Sequence, residues 1–100
     1  MDTEKIKVVF RAKAESTIYE VSKFIAEKGH PETSKKFAEK FYQFGNSLAD
    51  FPNKYRLCRF PKFSKRNLHC AVFDRTYIFI YKGGKNKLII YNVIHSKVLK

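Results

Sequence analysis

One hundred residues with 21 Lys and Arg against 9 Asp and Glu, a net charge of +12, can build one modest core, and a single domain over residues 1–100 is expected. A hydrophobic content of 44%, with ten Phe and six Tyr, excludes a disordered chain although 30% of the residues are charged. No run approaches the roughly 18 to 20 apolar residues of a membrane span, and Met1-Asp2-Thr3-Glu4-Lys5 lacks a signal-peptide pattern, so the expected location is cytoplasmic, without a membrane partner.

Ile6-Lys7-Val8-Val9-Phe10-Arg11 is β-branched and aromatic, and predicts a first strand. Ala14, Ile18, Val21 and Ile25 then recur at spacings of four, three and four, which puts one stripe of a helix against the core and leaves Gly29 to end it. Pro31 and Glu32 suit the first turn of a second helix, whose stripe is Phe37, Phe41, Phe44 and Leu48 and whose pattern stops at Pro52. The short link around Gly29-His30-Pro31 makes an antiparallel helical hairpin the expected packing, with His30 a turn residue.

From Asn53 to Asn67 regular apolar periodicity is lost. Lys54, Arg56, Arg59, Lys62, Lys65 and Arg66 alternate there with Tyr55, Phe60 and Phe63, without one acid. Three β-rich runs follow, Leu68 to Phe73, Tyr77 to Tyr81 and Lys87 to Ile94, joined by Asp74-Arg75-Thr76 and by a turn expected around Gly83-Gly84. The order β-α-α-β-β-β predicts an α+β domain, an antiparallel sheet with a two-helix hairpin packed on one face. Cys58 and Cys70 match neither a CxxC pair nor a secreted disulfide framework, and are read as reduced thiols of small hydrophobic character.

Charge divides the chain. Residues 1 to 50 hold nine basic and eight acidic side chains, whereas residues 51 to 100 hold twelve basic ones and a single acid, Asp74. Self-repulsion of that size opposes compactness unless a negative partner belongs to the working state, so the second half reads as a surface for a polyanion: nucleic acid, nucleoprotein or an acidic protein. Lys54, Arg56, Arg59, Lys62, Lys65 and Arg66, with Tyr55 and Phe63 between them, are the expected contacts. Aromatics among cations can stack on bases or fill a protein groove. They can equally pin the loop to the sheet.

The helix end Leu48-Ala49-Asp50-Phe51-Pro52, the strand Tyr77-Ile78-Phe79-Ile80-Tyr81 and the closing Asn92-Val93-Ile94-His95-Ser96-Lys97 resemble, in that order, words of the RelE/ParE superfamily of toxins from type II toxin-antitoxin (plasmid stabilization) systems. The resemblance runs from about Ile6 to Lys97. It implies a growth-inhibiting toxin held in check by an acidic antitoxin, within a toxin-antitoxin hetero-oligomer. One branch of that superfamily cuts mRNA on the ribosome without metal, and the other blocks DNA gyrase. Nuclease members commonly carry an Arg after the first Tyr of the strand word, and here Ile78 takes that place.

Losing a cation that a phosphate transition state would use tips the expectation slightly toward gyrase inhibition. In the alternative, a RelE-like mRNA endonuclease, Arg66, Arg75 and Lys97 would supply charge and His69 or His95, the latter matching the family's C-terminal histidine, the proton transfer, since an imidazole titrates at about 6.5. A structural role for His95, holding the C-terminal segment by a hydrogen bond, competes with that one. His69 is expected to face solvent. A non-toxic nucleic-acid-binding module would carry the same charge signature. No P-loop, GxGxxG, HExxH or paired Cys/His spacing occurs, so no cofactor and no metal are expected.

Overall fold

A computed structural model describes residues 6–50, 55–84 and 86–95. The elements are β1 (Lys7–Phe10), α1 (Ala12–Glu27), α2 (Pro31–Ser47), a single turn α3 (Pro61–Ser64), β2 (His69–Phe73), β3 (Tyr77–Gly84) and β4 (Lys87–His95). The strands lie in the order β1-β4-β3-β2, with α1 and α2 on one face. The expected α+β layout is present. The sheet itself is mixed, because β2, β3 and β4 form an antiparallel meander while β1 joins β4 in parallel register, Val8 opposite Leu88 and Phe10 opposite Ile90. Strand β1 thereby occupies the edge of β4 that the meander leaves unpaired.

The apolar stripes of both helices meet the sheet as their spacing requires. Ala14 and Ile18 of α1 and Phe41 of α2 are fully enclosed with Phe79, Tyr81, Leu88, Ile90 and Val93. Aromatic rings dominate this layer: Phe41 stands 5.1 Å from Tyr77 and 5.2 Å from Phe73, and Phe44 stands 4.9 Å from both Phe73 and Phe79. Gly45 lets α2 approach the sheet, since a Cβ there would overlap the Phe10 ring and lie 2.8 Å from Ile90 Cδ1. The link between the helices turns at Gly29, φ +89°, and the Ser34 hydroxyl donates to the Ser22 carbonyl at 2.6 Å, fastening one helix to the other.

One turn expectation changes and one holds. Gly83 and Gly84 are the last residues of β3 rather than the turn, since both still pair with β4, and Asn86 supplies the left-handed backbone with φ +62°. The β2-β3 connection is a hairpin as expected, with Asp74 and Arg75 both left-handed at φ +54° and +59°.

Candidate functional site

The segment from Tyr55 to Asn67 is not a free loop. Leu57 bridges His69, Cys58 N–H donates to Leu68 O at 2.9 Å, and Cys70 N–H donates to Arg56 O at 3.3 Å. A Cys58–Cys70 disulfide, with Cα atoms 4.9 Å apart, closes this short ladder, which corrects the reading of two reduced thiols. Twelve residues separate the pair in sequence, and only the antiparallel bridge brings them together. His69 is corrected too. Its Nδ1–H donates to the Tyr55 carbonyl at 2.8 Å, and its ring stacks on Tyr81 at 5.4 Å, so it is half-buried instead of facing solvent.

Held in this way, the segment covers part of the sheet face that the helices leave open. Cys58, Leu68 and Ile80 form a second small core there, with Phe63, Cys70, Ile78, Tyr91 and Ile94 around it. Ile78, where a nuclease relative would carry Arg, is therefore a packing residue. Phe63 belongs to this cluster, while Tyr55 packs against Phe44 on the helical side at 6.3 Å, so both aromatics bind the segment to the fold.

Beside that small core lies a cleft of about 420 Å³, bounded by Arg11, Ala12, Lys13, Phe63, Arg66, Leu68, Ile80, Tyr91 and Asn92. A bulge in β4 builds its floor. Ile80 pairs with Asn92 while Tyr81 pairs with Ile90, so Tyr91 is an extra residue and both Tyr91 and Asn92 border the cleft. The Arg11 guanidinium lies 5.0 Å from the Tyr91 ring centroid and that of Arg66 lies 5.5 Å from it. Arg11 is fixed at its backbone, as the N-cap of α1, by an N–H bond to Ile90 O at 3.0 Å. Asn92, at the border of the cleft, accepts the Val93 N–H through Oδ1 at 2.8 Å. The polar side chains lining the cleft are cations apart from the Tyr91 phenol and the Asn92 amide, which can both donate and accept, and no carboxylate lines it.

The structure disperses the remaining sequence-predicted residues. His95 closes β4 opposite Tyr77 on the helical side, the rings meeting edge to face at 5.5 Å, whereas Arg66 lies on the open side. Burial, and then the charge of Asp74, hold the Tyr77 phenol above its ordinary value of 10.0, so it is protonated near neutral pH and offers no base. Arg75 sits in the β2-β3 turn, at the His95 end of the sheet. Arg56, Arg59, Lys62 and Lys65 are exposed along the covering segment. Lys54 and Lys97 lie outside the described residues, as do Phe51, Pro52 and Ser96 of the family words. Among the described residues no group of three His, Cys, Asp or Glu is arranged to hold a metal, and no helix is long and apolar enough to cross a membrane.

Of the cleft's polar residues, sequence reasoning found Arg66 and missed Arg11, Lys13, Tyr91 and Asn92. Nothing in the sequence signals the β4 bulge. Arg11 and Lys13 sit in the half whose charges nearly cancel, although Lys5, Lys7, Arg11 and Lys13 follow one another without an acid between them.

A family model described as "ParE toxin of type II toxin-antitoxin system, parDE" matches residues 8–99. The chain belongs to this ParE toxin family. Among solved structures, a chain described as "Chromosomal ParDE TA system from P. aeruginosa" is similar in fold, with a TM-score of 0.76 and 11% sequence identity over 93% of this chain and 98% of that one. No curated protein matches in sequence. In ParE terms the family words divide by face: Tyr77, Phe79, Tyr81 and His95 belong to the packed helical side and its edge, Ile78 and Ile80 face the open side, and the cationic cleft is built from segments outside those words apart from Ile80 and Asn92.

Proposed function

We propose that the chain is the toxin of a type II toxin-antitoxin module, arresting growth by binding DNA gyrase and restrained by an acidic antitoxin in a hetero-oligomer. The observation that carries this choice of target is the separation of the cleft cations from His95. Cleavage through a 2′-OH needs a proton acceptor and charge stabilisation at one phosphate. Arg11, Lys13 and Arg66 gather on the open face, while His95 is seated against Tyr77 on the other. Binding needs only complementary shape and charge, and the exposed cations of residues 55–66 extend the same positive surface.

Induction of the chain alone in bacteria tests this. The expected result is growth arrest with relaxed plasmid DNA and intact transcripts, relieved when an antitoxin encoded beside it is co-expressed. Cut transcripts with normal supercoiling would instead establish mRNA cleavage, the reading in which Arg66, Arg75, Lys97 and His95 act. Unimpeded growth would leave a nucleic-acid-binding module without toxicity.

A further inference from the structure

The segment that walls the cleft with Phe63 and Arg66 is fastened along the outer edge of β2. Its fastenings there are the Leu57–His69 bridge, two backbone hydrogen bonds, the His69 bond to the Tyr55 carbonyl and the Cys58–Cys70 disulfide. The core beneath is thin, with Cys58, Leu68 and Ile80 its fully enclosed members, so one end of the disulfide is itself part of the packing. Arg56, Arg59, Lys62, Lys65 and Arg66 stand between Tyr55 and Asn67 without an acid, and their mutual repulsion favours an open segment. Against that repulsion the disulfide closes a loop over a separation of twelve residues, and a link of this span shifts the balance toward the closed form by about a hundredfold.

Thiol chemistry can reach this link. Cys58 is 3% exposed whereas Cys70 is half-buried, so an attacking thiolate meets the Cys70 sulfur first. A bond forms between the reductant and Cys70 Sγ, the Cys58–Cys70 bond breaks, and Cys58 leaves as a thiolate that takes up a proton. Arg56 and Arg59, on either side of Cys58 in sequence, favour that departure. The second thiol of a dithiol then attacks its own partner sulfur in the mixed disulfide, frees Cys70 as a thiolate that is protonated in turn, and closes the reductant into a disulfide. Two electrons and two protons thus pass from the dithiol to the cystine, and a disulfide oxidant reverses the exchange. We propose that Cys58–Cys70 is a site of reversible exchange with a dithiol and that it gates the cleft: oxidised, it seats Phe63 and Arg66 beside Arg11 and Tyr91, and reduced, it releases the segment so that the cleft loses this wall. The proposal rests on the gyrase reading in one respect, that loss of the wall lowers toxicity; a chain acting on gyrase works among cellular thiols, where disulfides are mostly transient or redox-sensing.

Limited trypsin digestion of the purified, oxidised chain, with and without dithiothreitol, reads the segment at Arg56, Arg59, Lys62, Lys65 and Arg66. Dithiothreitol is expected to reduce the bond in the folded chain, to leave the circular dichroism in place, and to speed cleavage at those sites at least about tenfold. Cleavage at exposed Lys23 of α1 and Lys36 of α2 is expected to change less than about twofold. Removal of the reductant and addition of oxidised glutathione should restore the slow rate. A bond that yields to dithiothreitol only in denaturant would overturn the proposal and make the disulfide a fixed staple. Unchanged cleavage after reduction would overturn it as well, since packing alone would then hold the segment. So would loss of the circular dichroism together with fast cutting at Lys23 and Lys36, the mark of global unfolding.

The gating of activity is read separately, in a supercoiling assay with purified gyrase and no reductant. Cys58→Ser with Cys70→Ser stands in for the reduced chain there, and is expected to need at least about tenfold more protein than the oxidised chain for equal inhibition. If that variant does not fold, the chain reduced with dithiothreitol replaces it. Equal potency of the two forms would overturn the gating. Inhibition by neither form would sink the gyrase reading, while the trypsin result still decides the exchange site.

Discussion

The two faces of the sheet are built on opposite terms. The helical face is closed by aromatic rings from α2, β2 and β3, and its fully enclosed residues carry no charge. The open face has only the small Cys58, Leu68 and Ile80 core, one disulfide and a border of cations. Stability is thus concentrated where it does not compete with charge, and charge is gathered where little burial depends on it. A face with a thin core can carry Arg11, Lys13 and Arg66 close together because solvent still screens them.

That division can be broken from the helical side first. Phe41 touches Phe37, Phe73, Tyr77 and Phe79, so Phe41→Ala leaves a void at the centre of the thick core. A loss of about 3–5 kcal/mol is expected in denaturant unfolding, enough to unfold a marginal domain. A loss below about 1 kcal/mol would mean that the helical face is not the main store of stability.

Removing the staple of the open face comes next. Cys58→Ala with Cys70→Ala, or treatment with a dithiol reductant, is expected to cost about 3 kcal/mol through the freed loop. Amide exchange should quicken at Cys58 and Cys70, whose N–H groups bond Leu68 and Arg56, before it does in the β3-β4 ladder. Uniform acceleration would show that the faces do not open independently.

Gly45→Ala sharpens the comparison at the closest approach of α2 to the sheet. Overlap with Phe10 and Ile90 is expected to outweigh the gain in helix propensity, for a net loss of about 1–2 kcal/mol in thermal or denaturant unfolding.

The smallest effect is one of pH. Burial, and then the Tyr55 phenol, push Tyr81 up to about 12, with a backbone hydrogen bond to Tyr55 working the other way. A folded pKa above the unfolded value of 10.0 means that the folded state holds its proton longer, so this contribution is complete below pH 10 and fades as pH rises toward 12. Melting temperature should fall across that window, and less steeply in Tyr81→Phe.

Much of this was legible locally. The spacing of Phe37, Phe41 and Phe44 marks a helix face because helical periodicity is a property of neighbouring residues, and the runs from Leu68 to Ile94 mark strands for the same reason. Charge counting located the basic half, and three short words in order led to the family that residues 8–99 match. By itself, then, the sequence determined the element order apart from the single turn α3, the helix-facing core and the half of the chain that carries the positive charge.

Tertiary structure decided how that surface is assembled. Arg11, Arg66 and Tyr91 come from the edge of β1, the turn after α3 and a bulge in β4, and no local pattern relates positions so far apart. The Cys58–Cys70 bond, the half-burial of His69 and the parallel seat of β1 have the same origin. Each depends on which strand edges remain unpaired once the meander has formed. That is a matter of long-range packing, which the period of a single segment does not encode.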